Sequence, residues 1–89
     1  MKIDVYDTYA SSSKGGTIHF DVLLPNGGSK EDAVKFARAF LEEIGESAGA
    51  LKQERCNFCH SESANQLVEQ SIAEKGHFIL QMEGCPNPY

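Results

Sequence analysis

The chain has no tryptophan, and its 89 residues include only three prolines and three cysteines. An odd cysteine count argues against a disulfide framework, which needs even pairing, so Cys56, Cys59 and Cys85 are expected as thiols or thiolates. Cations are scarce too: 8 Lys and Arg stand against 13 Asp and Glu, a net charge of −5 with His neutral. Nucleic acids and anionic membrane surfaces reward clustered cations, so neither is expected as a partner. No apolar run approaches the ~18 residues of a membrane span. Asp4 sits where a signal peptide would be apolar, and a cytoplasmic location is therefore expected. A phosphate loop is missing as well, since Gly27-Gly28 ahead of a helix makes a turn and a cap without the spacing of a P-loop. There are no internal repeats, and no Ser-His-Asp pattern comes with a supporting motif.

What is present suits one small globular domain over 1–85, followed by an irregular tail at 86–89. The opening KIDVYDTY is rich in β-branched and aromatic residues, with Ile3 and Val5 on one side and Tyr6 and Thr8 on the other. TIHFDVLL alternates Ile18, Phe20, Val22 and Leu24 against Thr17, His19 and Asp21. The turn formers ASSSKGG between these runs predict an antiparallel hairpin, and Pro25 ends its second strand. Ser29 is a helix N-cap, and the stripe Ala33, Phe36, Ala37, Phe40, Leu41 and Ile44 predicts a helix over roughly 29–44. LKQER reads as a short third strand, with CNFCHSE as the loop after it. A second helix is expected over 63–75, capped by Ser61 or Ser63 and stopped by Gly76. HFILQMEG supplies the last strand.

The order is β-β-α-β-α-β, an α+β domain. Strand–helix–strand units favour parallel crossovers, so a mixed four-stranded sheet is expected. Both helices are placed on one face, because His19, Asp21, Gln81 and Glu83 make the other side partly polar.

Parallel crossovers would finish the third and fourth strands at one sheet edge, bringing Cys56, Cys59 and Cys85 together with His60, away from His19 and His77. Zinc is the candidate ion for such a cluster, since it takes thiolates with an imidazole. His60 adjoins Cys59 awkwardly for one tetrahedral ion, so water, Glu62 or Glu83 are alternatives for the fourth ligand. Cys56 and Cys59 also have the C-x-x-C spacing of thiol redox sites, although the caps leave both outside the helix. CNFCH matches a covalent haem signature, whose maturation belongs outside the cytoplasm. The plain structural reading is that free cysteines act as small buried hydrophobes. A second candidate site lies on the hairpin, where Asp7, Tyr9 and His19 could hold a ligand or do acid–base work. Strand parity places Asp7 beside Ile3 and Val5, where a carboxylate needs a partner such as Thr8 or a backbone N–H. The structural alternative is that these polar residues simply face water.

MKIDVYDTY, TIHFDVLLP, QERCNFCHSE and FILQMEGC together resemble a small bacterial family of uncharacterised proteins, one of the numbered domains of unknown function. The resemblance implies a short α+β domain and transfers no catalytic residue. The expectation is a binding or regulatory module, more a non-enzyme than an enzyme, with the zinc candidate at Cys56, Cys59, Cys85 and His60. The alternative is a redox protein using Cys56 and Cys59. A homo-oligomer is compatible with either.

Overall fold

The computed structural model describes residues 1–86, and positions 87–89 of the expected tail lie outside the described residues. Strands β1 (Lys2–Ser11) and β2 (Thr17–Pro25) form the antiparallel hairpin that their alternation predicts. Tyr6, Ala10, Ile18, Phe20, Val22 and Leu24 are buried on one side of it. Ile3, Val5 and Leu23 are buried on the other. Helix α1 (Lys30–Glu43) starts where expected, with Ser29 Oγ accepting from the Asp32 N–H at 3.1 Å and Glu31 and Asp32 in the first turn. Ala33, Ala37, Phe40 and Leu41 pack onto the first side, the Phe40 ring 4.8 Å from that of Phe20.

The third strand differs from expectation. Gln53–Arg55 closes a short 3-10 turn, and β3 is Cys56–Ser63, the segment expected as a loop. Its residues are exposed from Asn57 onward because it is an edge strand, so hydrophobic alternation never develops. Helix α2 (Gln66–Lys75) accordingly begins later than expected. Both serines are still in β3, and Asn65 Oδ1 accepts from the Val68 N–H instead. Gly76 ends α2 in the left-handed region at φ 83°, as its position suggested. Strand β4 (Phe78–Gln81) completes the sheet.

The α+β class and the element order hold, but the sheet is antiparallel throughout rather than mixed, in the order β3-β1-β2-β4. β2 and β3 both run opposite to β1 and so share a direction, yet β1 lies between them and the expected direct parallel pairing is lost. The helices also lie on opposite faces, not one. α1 covers the side of Phe20, whereas Val68 and Ile72 of α2 close over Ile3, Val5 and Leu23. α2 covers only part of its face, and the region toward the hairpin loop stays open. Among the described residues no helix is long and apolar enough to cross a membrane.

Buried Asp4 ties three segments together. It accepts from Ser61 Oγ at 2.7 Å, Asn26 Nδ2 at 2.8 Å and the Gly27 N–H at 3.0 Å. Those hydrogen bonds, Ser61's foremost, hold its carboxyl below the ordinary 3.8. The stabilisation is fully present above the unfolded value and is lost as pH falls through the lowered folded one. Asp4→Ala is expected to destabilise by about 1–2 kcal/mol, by losing the hydrogen bonds that tie Asn26, Gly27 and Ser61 together, with a reduced urea midpoint as the readout.

Candidate functional site

The cysteines are not gathered at one edge. Cys56 starts β3 on one side of the sheet and Cys85 follows β4 on the other. The row Cys56–Thr8–Phe20–Gln81 spans three strand spacings, about 14 Å, between those edges. Cys56 is fully buried, with Thr8 Oγ1 3.4 Å from its Sγ, and burial pushes its thiol up. Cys59 is exposed at the irregularity in β3, where Val5 faces His60 and Tyr6 faces Phe58, leaving Cys59 without a register partner. Cys85 donates to the His19 carbonyl at 3.5 Å, so it lies beside the residue from which it was expected to be remote. All three are free thiols. His77 stacks on Phe36 at 4.0 Å, far down the sheet toward the other end of β2.

The residues that do converge are on the open half of the face that α2 covers. The hairpin register sets Asp7 directly opposite Asp21 and Tyr9 opposite His19. His19 Nε2 lies 2.6 Å from Asp7 Oδ1 and 3.9 Å from Asp21 Oδ1. One donor atom from each of Asp7, His19 and Asp21 falls within 4.8 Å of the others. The Tyr9 ring stacks on the imidazole at 4.2 Å, with the Arg55 guanidinium 5.4 Å from the centre of the Tyr9 ring. From the edge strand His60 acts electrostatically on Asp21, and it pairs with Glu62 at 2.7 Å.

A model of the Domain of unknown function family DUF2024 matches residues 1–82. The chain belongs to the DUF2024 family. It is also similar to a structure solved by NMR, protein NE1680 from Nitrosomonas europaea, a structural-genomics target, with 44% identity and a TM-score of 0.83. The match covers 96% of this chain and 99% of that one. No curated protein matches it.

In this DUF2024 chain the two facing carboxylates are electrostatically unequal. Burial, together with the Asp7 carboxylate opposite, pushes Asp21 from 3.8 up to about 6, and the charges of His19 and His60 oppose the rise. Burial would raise Asp7 too, but its hydrogen bonds with His19 and Asp21 outweigh this and hold it below 3.8. The charge of Asp7, helped by burial, raises the Tyr9 phenol. Like charges set opposite each other on paired strands destabilise a sheet, so this pair has a cost that folding alone does not explain. Oδ1 of Asp21 is buried and has no hydrogen-bond partner, whereas nearly all buried polar atoms have one. Chemically the group offers a proton donor and an acceptor of different strength side by side, or three metal-ligating atoms.

Of the sequence candidates, Asp7, Tyr9 and His19 come together. His60 borders them rather than joining the cysteines. Asp21, one of the polar residues that the sequence puts on the hairpin, joins the group because the register sets it opposite Asp7, and that register is the signal that would single it out. The chain after β4 fixes His19 from behind: its N–H donates to the Glu83 carbonyl at 2.8 Å, and its carbonyl accepts from the Met82 N–H at 3.1 Å. The turn that allows this needs Gly84, at φ 76°, where an added Cβ would stand 2.6 Å from the Thr17 carbonyl oxygen. Gly84→Ala is expected to detach this segment and destabilise by about 1–3 kcal/mol, seen as faster amide exchange at His19 and Met82.

Proposed function

We propose that this DUF2024 domain is a binding module for a positively charged ligand, held at Asp7, His19 and Asp21, with a divalent cation as the simplest occupant. The single observation that carries the reading is the buried Asp21 Oδ1 without a donor, facing an imidazole and a second carboxylate. Two carboxylate oxygens with one imidazole nitrogen suit Zn2+, Mn2+ or Fe2+ better than a site of thiolates alone would suit the harder ions among them. A cation among them removes the repulsion between the facing aspartates and gives Oδ1 a partner.

Calorimetric titration with Zn2+ and with Mn2+ tests the reading. One ion is expected to bind, and Asp21→Asn to weaken it about tenfold or more by removing a charged ligand. A variant with Cys56, Cys59 and Cys85 all changed to Ser is expected to bind as the native chain does. Binding lost in the serine variant and kept in Asp21→Asn would instead assign the ion to the thiols, and absence of any saturable binding would also overturn the proposal.

A further inference from the structure

Asp21 belongs to two features at once. Besides the polar group it lines a cleft of about 250 Å³ between the sheet and α2, whose walls include Val5, Leu23, Val68 and Leu80. The register explains the adjacency: Val5 faces Leu23 across the hairpin, and Leu80 of β4 faces Asp21. Asp21 therefore borders this apolar space. A second carboxylate, Glu62, also borders it, and no Lys or Arg is among the residues that line it. A bare metal ion makes no use of apolar walls. An anion is opposed by both carboxylates, and a neutral apolar guest leaves Asp21 Oδ1 without a donor.

We infer that the cleft takes a small apolar amine, its ammonium group on the Asp21 carboxylate and its body against Val5, Leu23, Val68 and Leu80. This rests on the cation-binding reading of Asp21 and names the kind of cation. The cleft volume lies below the usual range for drug-sized ligands, about 300–1,000 Å³, so the amine must be short, with a single ring or a short alkyl chain. An ammonium donates three hydrogen bonds and carries the charge that the facing aspartates need, while its carbon body removes apolar wall from water.

The probes are phenethylamine, its uncharged isostere 2-phenylethanol and the anionic 3-phenylpropionate, followed by amide chemical shifts and calorimetry. Phenethylamine is expected to saturate with shifts at Leu23, Val68 and Leu80. The alcohol is expected to bind about tenfold more weakly and the anion not measurably. Asp21→Asn, checked for folding by its melt, is expected to bring amine affinity down to that of the alcohol. Leu67→Ala, an exposed position on the cleft rim, is expected to weaken amine and alcohol alike by a few-fold. Equal binding of amine and alcohol, amine binding unchanged in Asp21→Asn, or no amine binding at millimolar concentration each overturn the inference. Zn2+ binding that depends on Asp21 without amine binding overturns the amine alone. Failure of both probes overturns the cation reading with it.

Discussion

Phe20→Ala is expected to lower stability by about 3–5 kcal/mol, against a total of roughly 5–15 for a domain of this kind. Phe20 is fully buried, at the centre of the sheet side that α1 covers. Its ring meets Phe40 at 4.8 Å, and Leu41 and Cys56 belong to the same cluster. Truncation removes both the burial and the ring pair, and leaves a cavity between rigid elements that cannot close over it. A thin core has few other contacts to compensate. At roughly 4–8 °C per kcal/mol for this size, the melting temperature should fall by some 12–40 °C. Phe40→Ala should behave similarly from the helix side, whereas Leu67→Ala, more than half exposed, should shift stability by less than about 0.5 kcal/mol. Equal small effects at all three positions would mean that α1 does not pack on Phe20.

Asp21→Asn is expected to act in the opposite direction and make the domain more stable at neutral pH. Asp21 has a folded value of about 6 against 3.8 for the free side chain. A raised acid holds its proton more tightly when folded, so its stabilising contribution is complete below 3.8 and is lost as pH rises through about 6. At 1.36 kcal/mol per pH unit the ceiling is near 3 kcal/mol, and residual solvent access at Asp21 reduces this to about 2. Asp7 works the other way: its lowered value adds stability above 3.8 that disappears in acid. The native chain should therefore lose stability between about pH 4 and pH 7. In Asp21→Asn that decline should vanish, because the amide stays neutral and can still donate to Asp7. Urea unfolding at pH 4.5 and 7.5 for both chains separates the cases. A variant that is less stable at pH 7.5 would contradict the account of Asp21. Gain of stability with loss of binding is the usual mark of a residue kept for a ligand rather than for the fold.

The elements most legible in the sequence are those with one face buried and the other wet. TIHFDVLL shows its alternation and α1 its stripe, and both caps, Ser29 and Gly76, are local chemistry that needs no tertiary knowledge. β3 was not legible, because an edge strand with only Cys56 buried carries no hydrophobic pattern. That one displacement moved the helix cap from serine to Asn65 and moved C-x-x-C from a loop into a strand. The strand order was beyond reach as well: the connection from α1 to β3 is long enough to carry the chain to the far side of β1, so sequence order does not limit it to a neighbour of β2. The polar site was half legible. Parity put Asp7 on the side of Ile3 and Val5, but its partner across the hairpin depends on register, which a loop of serines and glycines leaves open.

Asp21 is an abnormally basic carboxylate whose buried Oδ1 has no hydrogen-bond partner, and carbon-13 NMR of its side-chain carboxyl tests most directly whether it awaits a positive ligand. A titration midpoint near 6 is expected in the free domain, moving to lower pH when Zn2+ or phenethylamine is added. A midpoint at the ordinary 3.8 that neither addition displaces would contradict it.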